Sequence, residues 1–237
     1  MVNKAIVKSG PIWMLMPRRR AQIIRRVCES LKVEYGLDRL GNPEIPVDDL
    51  VFIILTNKTS PMMAKKLYQT LKKQYPSWED LLDSSRADVQ KIIQQGGLSM
   101  VKSNQIYSAL FSIREKFGSC QLNSLQDESS DQIHKYLVSL PGVSDKVAKC
   151  VMLFTFNRAV LPVDNHVFRI TKRLGWNQRK RADQCHEELE ALIKPKYRYA
   201  FHVDCIMHGR QVCLPRHPFC NKCCVSHNCM YNSTKEN

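Results

Sequence analysis

The most constraining feature of this 237-residue sequence is a group of cysteines close to its C-terminal end. Cys213, Cys220, Cys223 and Cys229 are separated by six, two and five residues. Four thiolates at such short spacings can hold a tetrahedral zinc ion or wrap a [4Fe–4S] cluster. Either group would cross-link residues 213–229 into a defined loop. The spacing leaves both open, although structural zinc sites more often combine two Cys-x2-Cys pairs.

The remaining cysteines fit a reducing compartment. Cys224 lies outside the four-residue pattern, and we predict that it is not a ligand. The scattered thiols are predicted to be small core residues: Cys28, Cys120, Cys150 and Cys185.

The N-terminal stretch does not resemble a secretory signal. Ile12–Met16 is a short apolar run, and the cluster Arg18–Arg20 follows it rather than preceding it. Nowhere does an apolar run approach the roughly 20 residues that span a bilayer. We therefore expect a soluble intracellular protein without a membrane partner, cytoplasmic and nucleoid-associated if the source is prokaryotic. Residues 1–16 are predicted to form a flexible N-terminal extension.

The rest of the chain has the pattern of an all-α protein. Apolar residues recur at helical spacing between capping residues, and strand-like alternation does not recur. Ser60-Pro61 predicts a helix start, and Gly96-Gly97 predicts a helix end. A further helix is predicted from about Lys102 to Phe117, ending at Gly118.

The segment Leu140-Pro-Gly-Val-Ser-Asp-Lys146 predicts a tight turn between two helices. Gly142 lets the backbone adopt left-handed angles and approach a ligand closely. The following helix would present unpaired N–H groups and its positive dipole end, an arrangement that binds phosphate without reading base sequence. We predict phosphate contacts at Gly142, Val143 and Ser144. A Leu-Pro-Gly turn by itself is a weak signal, because many helical hairpins contain one.

The charge distribution favours a polyanionic partner. The formal net charge is +14. Most of the excess lies at the two ends of the chain, in residues 1–45 and 161–237. Such an arrangement suits the binding of phosphates, but a solvated basic surface would look the same.

These segments together resemble the helix-hairpin-helix DNA glycosylases, particularly the endonuclease III branch. In that branch an LPGVGxK hairpin precedes a VD-x-H motif. Here Val163-Asp164-Asn165-His166 follows, with Asp164 eighteen residues after Lys146, as in the family. The cysteine spacing also matches the iron–sulfur loop of this branch, which favours a [4Fe–4S] cluster over zinc. The resemblance covers about residues 20–232.

The family fold implies two helical domains flanking a DNA-binding cleft. A six-helix barrel domain with the helix-hairpin-helix would span 46–158. Residues 17–45 and 159–237 would together form a discontinuous helical domain with the cluster loop. Lys146 and Asp164 would face each other across the cleft.

The resemblance assigns the chemistry to Lys146 and Asp164. A lysine amine can attack the anomeric carbon and form a Schiff base, and a carboxylate can stabilise the positive charge that develops on the sugar. Each residue also has a simpler interpretation. Asp164 could be only a helix cap, and Lys146 only a solvated charge.

Other residues are predicted to contact DNA. By alignment with the family, Asn57 and Leu98 would fill the gap left by an extruded base, while His166 and Arg216 would contact the backbone. Leu98 could instead pack after a helix end. Asn57 stands where the family usually has Gln, Ser144 replaces the second hairpin glycine, and Asn165 replaces a Thr. These departures put the substrate preference in doubt.

The leading hypothesis is a monomeric, bifunctional DNA glycosylase and AP lyase of base excision repair. Its partner would be double-stranded DNA with a damaged base, a mismatched base or an abasic site. Oxidised pyrimidines are the expected substrates. The alternatives are a glycosylase for mismatched thymine or uracil, or for another modified base, possibly monofunctional, and a non-catalytic DNA-binding module.

Overall fold

The computed structural model describes residues 11–36 and 40–234. Over these residues the chain is helical, as predicted, and has no strand. Its α-helices are α1 (Pro17–Glu34), α2 (Pro46–Thr56), α3 (Pro61–Gln74), α4 (Trp78–Asp83), α5 (Arg86–Ile93), α6 (Ser99–Phe117), α7 (Ser130–Ser139), α8 (Asp145–Phe154), α9 (Asn165–Arg173), α10 (His186–Leu192), α11 (Pro195–Gln211) and α12 (Met230–Ser233).

The chain divides into two compact units. The terminal unit comprises Met1–Leu40 and Ala159–Asn237, and the central unit comprises Gly41–Arg158. Across the ranges that the structure covers, no helix combines the length and apolar character needed to cross a membrane.

The central unit is built around α2, whose residues Val47–Leu55 are all buried. Helices α3, α6 and α8 pack against it, and α7 packs against α8. Burial on every side explains why Leu50–Leu55 is a continuous apolar run, while Asp48 and Asp49 are buried in the first turn. Lys146 lies at the start of α8, so α2 forms part of its support.

Side-chain caps mark the start of six of the twelve α-helices that the structure describes. The Ser60 hydroxyl accepts a hydrogen bond from the Met63 amide at 3.3 Å, as predicted. Ser77 and Ser129 form complete capping boxes at the starts of α4 and α7. Helix α6 begins at Ser99, three residues before the predicted Lys102. It ends at Gly118, as predicted, with φ of 74°.

The terminal unit packs α11 against α1 and α9. Its core includes Val27 and Leu31 of α1, together with Trp176 and Phe201. The rings of Trp176 and Phe201 stack with centroids 5.7 Å apart. The four scattered cysteines that were predicted to be core residues are all buried.

The segment just before α1 contributes one side chain to the core of the terminal unit. Ile12–Met14 forms a 3₁₀ turn, and Ile12 is 4% exposed. The Ile12 amide donates to the Gly175 carbonyl at 3.2 Å. Ile12 is thus anchored in the core, whereas Met14 and Met16 are exposed, and the flexible extension over residues 1–16 stays a prediction. Residues 1–10 lie outside the described ranges.

Candidate functional site

The predicted hairpin is formed by α7, the turn at residues 140–144 and α8. Gly142 has φ of 79°, in the left-handed region. A Cβ at this position would lie 2.5 Å from Cγ of Gln105, a side chain of α6 that also donates to the Gly142 carbonyl at 3.3 Å. Both the backbone angle and the close packing therefore require glycine here.

The serine that replaces the second hairpin glycine fits without strain. Ser144 has φ of −81° and serves as the N-cap of α8, its hydroxyl accepting from the Val147 amide at 3.4 Å. It is exposed, whereas Val143 is buried. Any phosphate contact at Val143 would thus involve its backbone rather than its side chain.

Lys146 lies in the first turn of α8 and is half-buried. The neighbouring residues are tied together: the His134 ring of α7 lies 2.5 Å from the Asp145 carboxylate, and the Lys149 ammonium lies 3.9 Å from it. The first contact links α7 to α8, and the second lies within α8. The hairpin that carries Lys146 is therefore braced on both sides of its turn.

A buried carboxylate that the sequence analysis missed lies near Lys146. Asp49, in the first turn of α2, is fully buried and accepts a hydrogen bond from the Asn42 amide at 2.7 Å. Its other oxygen, Oδ2, has no hydrogen-bond partner. Burial raises the pKa of Asp49 to about 8, against the lowering effects of Asn42 and of the Lys146 charge. The position of Asp49 directly before an apolar run was the available signal.

Two exposed tips carry the predicted extrusion residues. Asn57 is exposed and follows α2, and the next residue, Lys58, has φ of 51°. Leu98 is 46% exposed with φ of 52°, directly after Gly97 and before α6. Their exposure agrees with the predicted contacts but does not test them.

In the terminal unit, Asp164 is the N-cap of α9. One carboxylate oxygen accepts from the His166 amide at 2.9 Å and from the Val167 amide at 2.8 Å. Asp164 is therefore a helix cap, as its simpler interpretation held. A helix N-terminus stabilises a negative charge, so the cap also supplies an ionised carboxylate at a fixed place.

His166 is a half-buried packing residue. Its ring lies 3.2 Å from the Arg169 guanidinium, and Gly209 of α11 leaves room for it, since a Cβ there would lie 2.3 Å from the ring. Burial lowers the pKa of His166, which favours the neutral ring. The predicted DNA contact at His166 stays a prediction.

Two arginines of α9 hold the start of the cysteine loop, and sequence analysis missed both. Arg169 donates to the carbonyls of Cys213 and Gly209, each at 2.9 Å. Arg173 donates to the Leu214 carbonyl at 2.7 Å and to the Pro215 carbonyl at 2.9 Å. Their spacing of four residues places both on one face of α9.

The four predicted ligand cysteines line one cavity together, and Cys224 does not line it. None of these cysteines is in a disulfide. Arg173 donates to the Cys213 sulfur at 3.1 Å, and the His208 ring lies 3.4 Å from the Cys223 sulfur. Burial raises the pKa of the Cys223 thiol to about 12. Side chains of neighbouring helices therefore already contact two of the four sulfurs.

His208 is fixed from its other side as well. The Tyr35 hydroxyl lies 2.8 Å from its Nδ1. Burial lowers the pKa of His208 to about 4, so the ring is neutral at physiological pH. Arg216, predicted to contact DNA, is exposed in the same loop.

Comparison with known proteins places these features in context. Residues 51–195 match the profile of the HhH-GPD superfamily, described as base excision DNA repair proteins. Endonuclease III of Thermotoga maritima is 26% identical over 186 residues, covering 78% of this chain and 83% of that protein. Endonuclease III of Synechocystis is 30% identical over 187 residues, covering 78% and 81%.

A solved structure has the same fold. An endonuclease III in a non-covalent complex with DNA aligns with a TM-score of 0.80 at 22% identity, covering 91% of this chain and 98% of that one.

Proposed function

Because the chain belongs to the HhH-GPD superfamily of base excision DNA repair proteins, we propose that it is a DNA glycosylase with AP lyase activity. The observation that carries this proposal is the position of Lys146, in the first helical turn after a hairpin shaped for phosphate. A non-catalytic DNA-binding module would need the hairpin but not this lysine. The partner is duplex DNA that contains a damaged or mismatched base or an abasic site.

The hairpin binds the DNA backbone. Gly142 has a left-handed backbone angle at the turn, and α8, whose first N–H groups point towards its N-terminal end, begins directly after this turn. Together with the helix dipole, these N–H groups attract a phosphate whatever the base sequence. Binding of this kind positions the nucleotide and leaves lesion recognition to other residues.

Lys146 supplies the nucleophile. Its amine attacks C1′ of the extruded nucleotide, the C1′–N bond breaks, and the base leaves with the bonding electrons and takes up a proton. Opening of the sugar ring gives a Schiff base on Lys146. Loss of a C2′ proton then breaks the C3′–O bond and releases the 3′ phosphate, and water finally hydrolyses the Schiff base to free the lysine.

Asp164 acts on the same sugar in this proposal. Its carboxylate stabilises the positive charge that develops as the base leaves, and it can accept the proton that Lys146 loses. Two backbone N–H groups hold one of its oxygens at fixed distances. A preorganised carboxylate needs little rearrangement as the charge develops.

The cysteine cavity is proposed to hold a [4Fe–4S] cluster through Cys213, Cys220, Cys223 and Cys229. The donor set fits, since four thiols and no carboxylate line the cavity. Within residues 11–36 and 40–234, no three His, Cys, Asp or Glu side chains are grouped to hold one metal ion. The spacing of six, two and five residues, which resembles the iron–sulfur loop of the endonuclease III branch, supports the cluster over a single tetrahedral zinc. When bound, the cluster cross-links residues 213–229 and so positions Arg216.

Oxidised pyrimidines are the proposed substrates, with Asn57 and Leu98 occupying the gap left by the extruded base. This assignment rests on the likeness to endonuclease III. A panel of duplexes with single defined lesions would test it, including thymine glycol and a G·T mismatch. Release of thymine from the mismatch in preference to all other bases would favour the alternative specificity.

Borohydride trapping on abasic duplex DNA tests the proposed activity directly. The wild-type protein is expected to form a covalent adduct, Lys146→Gln to form none, and Asp164→Asn to form it about 10²–10³-fold more slowly. Lys135→Gln, at an exposed lysine of α7, is the matched control and should retain the adduct.

Other outcomes of this test separate the alternatives. Base release from the lesion-containing duplexes, without any adduct on abasic DNA, would show a monofunctional glycosylase. Duplex binding with neither base release nor adduct would show a non-catalytic module.

A further inference from the structure

A lysine is buried in the core of the central unit. Lys102 lies on α6 and is 1% exposed. A buried ammonium is strongly unfavourable unless hydrogen bonds replace its lost hydration. A methionine of similar length would fill the same space without this cost. The presence of lysine therefore calls for a specific set of acceptors.

Three acceptors saturate its three donors. The Lys102 ammonium donates to the carbonyl oxygens of Leu55 and Gly96, each at 3.0 Å, and to the Thr59 hydroxyl at 2.5 Å. Burial lowers the pKa of Lys102, yet all three partners are oxygens that favour the charged form.

The acceptors belong to two separate segments of the chain. Leu55 O is one of the last carbonyls of α2, where a cation satisfies an unpaired oxygen and the negative end of the helix dipole. Gly96 O ends the 3₁₀ turn that precedes α6. The Thr59 hydroxyl also donates to Gly96 O, at 2.5 Å. The segments 56–59 and 96–98 are thus joined at one buried point.

The tips beyond this point are exposed and strained. Lys58 and Leu98 both have left-handed backbone angles without being glycine, a conformation that a residue with a Cβ adopts only at a cost in free energy. Asn57, Lys58 and Leu98 are all exposed. Such conformations persist only where the surroundings hold them. Here the attachment to Lys102 lies at the base of each tip.

We propose that Lys102 is a positioning residue that holds the tips Asn57–Lys58 and Leu98 as one rigid element for insertion into duplex DNA. The inference rests on the proposed function. Extruding a nucleotide requires both tips to enter the duplex in a fixed relation. If they moved independently, DNA binding would have to order them, and that loss of entropy would oppose extrusion. Once a nucleotide is unpaired, the tips are no longer needed.

The test compares one abasic site in two contexts. Lys102→Met keeps the length of the side chain and removes its donors. We expect strand cleavage at an abasic site in duplex DNA to slow by about tenfold or more. Cleavage of the same site in single-stranded DNA, which needs no extrusion, should stay within about twofold of wild type. Hydrogen exchange of the free protein should speed up at the amides of 56–59 and 96–98.

Two further variants test whether the effect of Lys102→Met is specific to the buried lysine and its acceptors. Lys91→Met makes the same substitution at an exposed lysine of α5, and it should change neither rate. Thr59→Val removes one acceptor and should give a smaller loss with the same duplex-only pattern. If Lys102→Met does not fold, Thr59→Val decides the question.

Two results would overturn the proposal. Equal losses on duplex and single-stranded DNA would mean that Lys102 only maintains the fold. Unchanged exchange at the two segments would mean that it does not hold them together. A wild-type protein inactive on both DNAs would refute the proposed function, while the exchange measurement would still test the role of Lys102.

Discussion

The central and terminal units stabilise their candidate functional residues by different means. In the central unit, the hairpin around Lys146 is shaped by the chain's own backbone, through the left-handed Gly142 and the Ser144 cap. In the terminal unit, residues 213–229 contain only short 3₁₀ turns. Arg169 and Arg173 hold their first part, and four thiols face one cavity.

The hairpin and the cysteine loop therefore differ in what keeps their backbone ordered. The hairpin needs nothing outside the polypeptide, because caps and turn angles satisfy its polar groups. The backbone hydrogen bonds within the cysteine loop close only short local turns, so we expect its order to depend on the group that the thiolates bind. Substitutions in the loop should therefore affect stability far more than substitutions in the hairpin.

The largest expected effect concerns the cysteine cavity. Cys223→Ser should remove absorbance near about 400 nm and lower Tm by more than about 10 °C, because the cluster can no longer cross-link the loop. Cys224→Ser is the matched control and should keep both properties, since Cys224 does not line the cavity. A colourless wild-type protein that contains zinc would contradict the cluster assignment.

The next effect concerns the buried carboxylate under the hairpin. The pKa of Asp49 rises from its ordinary value of 3.8 to about 8 on folding, so the folded state binds the proton more tightly. The free energy of unfolding should therefore fall as pH increases from about 4 to about 8. Asp49→Asn should remove this dependence and stabilise the protein by several kcal/mol at pH 8, because one unit of pKa shift corresponds to about 1.4 kcal/mol.

Urea unfolding of wild type and Asp49→Asn at several pH values would measure this effect. Asp80→Asn is a suitable control, because that exposed carboxylate has a lowered pKa, from its capping contacts with Ser77. The contribution of Asp80 to the free energy of unfolding should therefore increase as pH rises through its pKa. A wild-type stability that increased steadily from pH 4 to 8 would contradict the assignment for Asp49.

A smaller effect is expected at the hairpin turn. In Gly142→Ala the new residue would have to adopt a left-handed backbone angle, and its Cβ would lie close to the Gln105 side chain. We therefore expect the substitution to destabilise the protein by about 1–3 kcal/mol. Adding Gln105→Ala should remove the destabilisation that comes from the steric contact and leave the destabilisation that comes from the backbone angle. Urea unfolding and duplex affinity would measure both. Full recovery in the double variant would show that the backbone angle is not the constraint.

The smallest effect is expected at Ser144, two residues after Gly142. Ser144→Gly restores the residue typical of the family, but φ is already −81°, so glycine gains nothing in geometry. Loss of the cap should cost only a few tenths of a kcal/mol, and duplex affinity should hardly change. Ser144→Ala should cost more, about 1 kcal/mol. A large gain in affinity for Ser144→Gly would show that the serine weakens phosphate binding.

Much of the central unit could be predicted from sequence because its signals are local. The Ser60 cap, the end of α6 at Gly118 and the turn at Gly142 each depend on a few neighbouring residues. The start of α6 was placed too late because Leu98 adopts a left-handed angle that its residue type does not indicate. The cysteine spacing is also a local pattern: its four cysteines line one cavity and Cys224 does not, while their role as ligands stays a prediction.

Sequence alone determined the all-α class, the family, the hairpin and the four thiols, because each depends on residue types at short separations along the chain. The tertiary structure decided the roles of side chains whose partners lie far away. Lys102 looks like a surface lysine until residues 55, 59 and 96 surround it with oxygens. Asp49 becomes a weak acid only when neighbouring helices remove its water. Burial and charge depend on the whole packed environment, and no spacing in the chain encodes that.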